Sequence, residues 1–219
     1  MTDYLLLAAM SDADRRRVLS AARRRRFARD DVVFWAGDPG DELHLIASGH
    51  VACQINTPRG DVATVRIMGP GEHFGELTLI SPGARSATMR ALDSLETLVL
   101  RNEDFNELRR DPAIEAAFVG ALAMEIRRLS GALTDALYLP AHDHLWKRLA
   151  AVEEVFANSE PETILPLTQG MIATLAGVTR QTANKFFDTA EAKGVIRRDS
   201  RGRITVVDRA ALHARADSR

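Results

Sequence analysis

One cysteine, Cys53, is all that 219 residues contain. No intrachain disulfide can form and no cysteine metal cluster can be built, which suits a reducing, cytoplasmic setting. Long hydrophobic runs are missing too, and nothing approaches the roughly 18 apolar residues needed to cross a bilayer. The opening MTDYLLLAAMSDAD has no basic region and turns polar quickly, so it is expected to be a poor secretion signal. Net charge is almost absent, at −1 from 29 basic and 30 acidic residues, and gives no whole-chain signature of a nucleic-acid binder. Repeats and low-complexity segments are lacking. So are a metal-spaced ligand cluster, a nucleophile elbow and a Walker loop, and an enzyme is not expected.

What charge there is falls unevenly, in basic runs at 15–17, 23–26 and 197–203. The length suffices for two modest domains with separate cores. Residues 11–26 read as a helix with an acidic first turn (Asp12, Asp14). Arg23 to Arg26 are then expected as cations on the solvated end of that helix, in preference to a nucleic-acid patch.

From Phe27 to Leu100 the texture changes. VVFWAG, LHLIASG, VACQI, VATVRIMG and ETLVL are strand-like, with turns at Gly37-Asp38-Pro39-Gly40, Ser48-Gly49, Pro58-Arg59-Gly60 and Gly69-Pro70-Gly71. Short strands at such spacing predict a double-sheet roll enclosing a pocket. His44, His50, His73 and Cys53 are competent metal or haem ligands but lack ligand spacing. His44 and His50 are expected at ordinary strand or turn positions, and His73 at the pocket rim.

Within this region, FGELTLISPGARSATMR (74–90) reads as an anion cradle. A helical turn after a Gly-rich bend exposes backbone N–H groups, Gly75 allows close approach, and Arg85 offers a planar guanidinium to phosphate oxygens. Glu76, acceptor-only when ionised, suits a sugar hydroxyl.

Asp111-Pro112 opens the longest helix, with Asp111 as N-cap and Pro112 at the first position. Phe118, Leu122, Ile126, Leu129, Leu133 and Leu137 follow at spacings close to a coiled-coil seam, which predicts a parallel homodimer. Tyr138-Leu139-Pro140 ends this helix and makes a hinge. An amphipathic helix is expected over 143–158. Beyond it, Thr168 caps one helix, Gly177 supplies a tight turn, and Thr179 caps a second helix carrying Arg180, Gln181, Asn184 and Lys185 on its polar face. That is a helix-turn-helix. Arg is a residue type that reads guanine, and Gln and Asn are types that read adenine. The segments around Arg197-Arg198 and Arg203-Ile204, with a turn at 199–202, make a hairpin wing whose arginines would lie against phosphate.

The F-G-E-L and R-S-A-T halves at their fixed gap, together with the winged helix-turn-helix, resemble the cyclic-AMP receptor protein/fumarate-nitrate regulator superfamily of bacterial transcription factors. The resemblance spans about 12–207. It implies an α+β chain with three parts: a cyclic nucleotide-binding-type β-roll (a double-sheet jelly roll) over 1–110, a dimerisation helix and hinge over 111–140, and a winged helix-turn-helix over 141–219. It further implies that Glu76 binds the ribose 2′-OH, that Arg85 and Ser86 bind the cyclic phosphate with Ala87 beside them, and that Gly75 and Leu77 offer backbone contacts. The base would be met by a hydroxyl of the long helix, Ser130 or Thr134. Cyclic AMP is favoured over cyclic GMP, and no metal is expected. The implied DNA-facing set is Thr168, Gln169, Thr179, Arg180, Gln181, Thr182, Asn184, Lys185 and Arg203, on a palindromic duplex operator, with RNA polymerase as a further partner and no membrane. The family's best-known member has a Glu where this chain has Gln181, so its operator sequence is not expected to carry over. Two alternatives accompany this reading: the same fold sensing haem, a gas, redox state or nothing, and a winged-helix module that binds only protein.

Overall fold

The computed structural model describes residues 2–58, 60–81, 83–200 and 202–217. Arg59, Pro82 and Arg201, which belong to the expected turn at 58–60, the cradle and the wing turn, lie outside them. The chain divides into two compact units, Met1–Ile55 with Met68–Leu129, and Asn56–Ile67 with Ser130–Arg219.

The first unit starts with a 3-10 turn at Leu5–Leu7 and helix α1, Asp12–Ala21, whose Ser11 cap accepts from the Asp14 N–H. Helix α1 stops earlier than its sequence pattern predicts. Ala22 is already extended, and Arg23–Phe27 is strand β1. The arginines are therefore strand residues and not helix-end cations, for a tertiary reason. Alternation along an extended chain aims Arg24 and Arg26 at Glu96, and Arg25 at Glu42 on the other side. Arg26 Nε meets Glu96 Oε2 at 2.8 Å, Arg24 pairs with the same carboxylate, and Arg25 Nη1 meets Glu42 Oε2 at 2.7 Å. With a single fully buried side chain, Val18, the helix had little to gain by continuing.

Strands β2 (Val32–Phe34), β3 (Glu42–Ser48), β4 (Val51–Asn56), β5 (Val62–Met68) and β6 (His73–Phe74) follow, then a single helical turn α2 (Leu77–Ile80), β7 (Thr88–Ala91), β8 (Leu95–Arg101), α3 (Asn102–Leu108) and α4 (Pro112–Tyr138). The strands form two four-stranded sheets, β1-β8-β3-β6 and β2-β7-β4-β5. This is the expected roll. Alternation along β3 sorts its side chains: His44 and Ile46 face the interior with Phe74, Met89, Ala91 and Leu95, while Leu43 and Leu45 face a second core with Leu7, Val18, Phe105, Ile114 and Phe118. Helix α3, which no sequence signal announced, covers that second core through Phe105 and Leu108.

Helix α4 begins as its cap residues predict, with Asp111 Oδ1 accepting from the Ala113 N–H at 3.1 Å. Its apolar stripe has two fates. Phe118 packs edge-on against Phe105 at 4.8 Å, whereas Ile126, Leu129, Leu133 and Leu137 are all more than half exposed.

Besides most of β5 and the end of α4 from Ser130, the second unit contains α5 (Ala141–Phe156), β9 (Thr163–Leu165), α6 (Gln169–Leu175), α7 (Arg180–Ala192), β10 (Ile196–Arg198), β11 (Ile204–Val206) and α8 (Arg209–Asp217). Helix α5 starts two residues earlier than expected, directly after Pro140. The hairpin β10-β11 gains β9 as a third, antiparallel strand. Trp146 of α5 meets Phe186 of α7 at 4.6 Å in the core. Behind it lies a carboxylate, Glu153, with no solvent exposure, which receives Thr163 Oγ1 at 2.5 Å, Arg209 Nε at 2.7 Å and His213 Nε2 at 3.0 Å. Burial pushes this carboxyl up, but those three partners outweigh it and hold it below its ordinary value. One buried charge thus ties β9 and the unannounced helix α8 to α5.

Candidate functional site

The cradle lies between β6 and β7, and the loop after β2 is laced to it. Gly37 N–H donates to Arg85 O at 2.9 Å, Arg85 N–H donates to Asp38 O at 2.8 Å, and Pro39 bridges Ala84. These backbone bonds place the Arg85 side chain inward, where it is 6 % exposed. Its Nη1 donates to Gly75 O at 2.9 Å and to Thr78 Oγ1 at 3.0 Å, and its guanidinium lies over the Phe34 ring at 4.0 Å. Its Nε is buried with no hydrogen-bond partner among the described residues. Burial lowers the Arg85 pKa, while Asp41, Glu42, Glu76 and Asp38 act to raise it, so the cation persists at any physiological pH.

A buried donor left without an acceptor is costly, and an anion presented to the Nε edge removes that cost. Gly75 makes room for that guanidinium. Its φ is +87°, and a Cβ there would stand 2.7 Å from Arg85 Nη1 and 2.8 Å from Glu42 O. The residues present therefore fit a phosphate group. Glu76 is half-buried immediately before α2, within electrostatic reach of Arg85. Leu77 is exposed at the first position of that turn and Ser86 is exposed beside Arg85, whereas Ala87 faces the interior. Gly75, Glu76 and Arg85 are thus brought together. Ser130 and Thr134 belong to the other unit, exposed on α4, where Thr134 Oγ1 donates to Ser130 O at 3.0 Å. Sequence reasoning missed Phe34 and Thr78. The Gly37-Asp38-Pro39-Gly40 turn was visible, but not that it closes on the cradle.

His44 occupies the layer beneath. It is buried, stacked on Phe74 at 4.8 Å, with Nδ1 3.1 Å from Thr97 Oγ1. Burial, with Arg25 and Arg85 nearby, lowers its pKa to about 3. His50 sits at the β3–β4 turn on Asp93, at 2.6 Å. Among the described residues no three His, Cys, Asp or Glu side chains converge as a metal site would need. The His44 shift has a measurable consequence. Between 6.5 and 3 the unfolded chain binds a proton at this ring that the folded chain refuses, so stability falls as pH drops below 6.5. The expected slope is about 1.4 kcal/mol per pH unit from this group, read from denaturant unfolding at pH 7 to 4.5. His44→Asn should flatten it. An unchanged slope would mean that other groups carry the acid sensitivity.

The second surface is the helix-turn-helix. Thr168 Oγ1 accepts from Met171 N–H at 3.2 Å and Thr179 Oγ1 from Thr182 N–H at 3.1 Å, so both helices are capped as the sequence predicts. Gly177 takes φ +61° in the turn between them. Ala183, Phe186, Phe187 and Ala190 of α7 are buried, which leaves Arg180, Gln181, Asn184 and Lys185 exposed in two adjacent rows, with Thr182 and Gln169 half-buried. The wing differs from expectation in its charges. Arg198 bridges from β10 to Glu191 and Asp188 of α7 at 2.6 and 2.8 Å, Arg197 pairs with Glu162 at 2.7 Å, and Arg203 with Asp199 at 2.6 Å. Arg198 thereby fixes the wing to α7. Among the described residues no helix is long and apolar enough to cross a membrane.

Two family models match the chain: a cyclic nucleotide-binding domain over residues 24–111 and a Crp-like helix-turn-helix domain over residues 142–215. The chain is 30 % identical over 180 residues to the Cyclic AMP receptor protein of Thermus thermophilus, covering 82 % of each. It is 29 % identical over 194 residues to the CRP-like cAMP-activated global transcriptional regulator of Mycobacterium tuberculosis, covering 87 % of this chain and 86 % of that one. The crystal structure of Thermus thermophilus Catabolite Activator Protein superposes with a TM-score of 0.56 at 28 % identity, over 96 % of this chain and 97 % of that chain.

Proposed function

Because the chain belongs to the cyclic-AMP receptor protein/fumarate-nitrate regulator superfamily of transcription regulators, we propose that it is a homodimeric, cytoplasmic regulator switched by cyclic AMP. The carrying observation is the buried Arg85 guanidinium. Its Nε has no partner among the described residues, and its position beside Gly75 and Glu76 offers an anion seat next to a hydroxyl acceptor. Cyclic AMP is chosen over cyclic GMP because the Thermus thermophilus and Mycobacterium tuberculosis relatives are named for cyclic AMP. Arg85 and Ser86 take the cyclic phosphate with Ala87 alongside, Glu76 takes the ribose 2′-OH, Gly75 and Leu77 contribute backbone, and Ser130 or Thr134 meets the base. The exposed half of the α4 stripe supports the dimer. Effector binding then biases how two long helices pack, and with them the spacing of two recognition helices one DNA turn apart on a palindromic operator. RNA polymerase is the partner on which such a regulator acts. Calorimetry of the purified protein with cyclic AMP and cyclic GMP tests the effector. Micromolar binding of cyclic AMP that raises operator affinity is expected, and identical operator affinity with and without nucleotide would refute the switch.

On the DNA side, Thr168, Gln169, Thr179 and Thr182 anchor the helix ends to phosphate, and Gln181, Asn184 and Lys185 face the groove. Arg180 is one residue past its cap and exposed, so it projects from the helix end that enters the major groove. A bidentate contact to guanine discriminates by about 1–3 kcal/mol. Arg180→Ala should therefore relax preference at one symmetric pair of operator positions. Arg203 of the wing, leaving Asp199 for phosphate, should on replacement by Ala weaken all sequences evenly and lower the salt slope by about one per contact removed. Selection from a randomised operator pool at two salt concentrations separates the two. A changed motif for Arg203→Ala with an unchanged one for Arg180→Ala would reverse these roles.

A further inference from the structure

We propose that Phe34 and Thr78 are positioning residues for the anion seat, holding the Arg85 guanidinium in the plane that presents its Nε edge to ligand. This rests on the cyclic nucleotide reading above and adds two residues to it. An arginine side chain has about 2 kcal/mol of rotamer entropy, so an unrestrained one would have to be ordered at the moment of binding. Here the ordering is built in from two sides. The Phe34 ring covers one guanidinium face at 4.0 Å, and at the far end Nη1 is held by Gly75 O and Thr78 Oγ1. These contacts engage Nη1 alone and leave the opposite edge uncommitted, where Nε is a buried donor with no partner among the described residues.

Each holder is itself held. Phe34 is tilted against Phe74 at 5.8 Å and against His44 at 6.0 Å, and the last two rings stack on each other, so the Phe34 ring is restrained on its inner side. Thr78 is 7 % exposed, and its hydroxyl also donates to Gly75 O at 3.2 Å. The loop after β2 closes over it so tightly that a Cβ on Gly40 would stand 2.4 Å from Thr78 Oγ1. One aromatic face, one hydroxyl and one glycine contact therefore converge on a single cation. A stacked, desolvated guanidinium on an aromatic face is a preorganised donor.

The test compares affinity for cyclic AMP in the full chain carrying Phe34→Leu, Phe34→Tyr, Thr78→Val, Thr78→Ser and Arg85→Ala. Phe34→Leu keeps apolar bulk and loses the ring, and an approximately tenfold loss of affinity is expected. Phe34→Tyr should recover wild-type affinity within about twofold, because it keeps the aromatic face. Thr78→Val, which is nearly isosteric, should lose a comparable factor, and Thr78→Ser should restore it. A packing role alone would not order the variants by ring and hydroxyl. A second readout needs no ligand: the Arg85 Nε–H resonance should be ring-current shifted in wild type and Phe34→Tyr and lose that shift in Phe34→Leu. Wild-type affinity in Phe34→Leu and Thr78→Val, beside a lost affinity in Arg85→Ala, would overturn the positioning roles and leave the seat standing. If Arg85→Ala also binds normally, the seat is wrong and the positioning roles go with it.

Discussion

Arg85→Ala should weaken cyclic AMP binding by about 3 kcal/mol or more, which is more than a hundredfold in affinity. The size follows from where the guanidinium is. At 6 % exposure its contact with phosphate is shielded from water, and a charge-assisted bond in such surroundings is worth roughly twice a neutral one. Alanine removes the seat without breaking a structural ion pair, because the bonds of Nη1 run to Gly75 O and Thr78 Oγ1, neither of them charged. The fold should therefore persist, and thermal unfolding without ligand checks that. Glu76→Ala should cost less, as one hydroxyl contact is lost, and its cost should shrink when the ligand is 2′-deoxy. Calorimetric affinities equal for wild type and Arg85→Ala would end the phosphate assignment.

A comparably large effect is expected on helix α4. Leu129 is 52 % exposed on α4, in line with Leu133 and Leu137. Leu129→Asp therefore removes little from the chain's own core, and its monomer stability should change by no more than about 0.5 kcal/mol. A two-fold seam would bury the residue twice. Losing about 2 kcal/mol of apolar burial from each copy weakens the dimer by roughly a thousandfold, before any cost of burying two carboxylates is added. Sedimentation at micromolar concentration should then show monomers. Operator affinity should fall with it, since two half-sites would no longer be joined at a high effective concentration. A variant that sediments as a dimer would mean that this stripe is covered by something other than its own copy.

Whatever depends on short-range chemistry was already legible in the order of the residues. Strand periodicity and glycine turns specify the roll, because alternation and positive-φ turns are local properties. The caps at Asp111, Thr168 and Thr179 are equally local, each a side-chain oxygen within three residues of the N–H it accepts from. The helix-turn-helix and the two halves of the cradle could be read for the same reason. Folding decided what depends on partners far along the chain. Arg23 to Arg26 look like a helix end until Glu42 and Glu96 are brought beside them, and then an extended strand satisfies more charge than a frayed helix could. Helix α8 has little pattern of its own and is held by Glu153, some 60 residues earlier. The wing arginines advertise a free basic surface, yet Glu162, Asp188, Glu191 and Asp199 are folded against them. At the cradle, spacing identified Arg85 but not its state. That required Phe34 from a strand some fifty residues earlier and a loop that crosses over Thr78, since a guanidinium is oriented by the surfaces that enclose it and not by its neighbours in sequence.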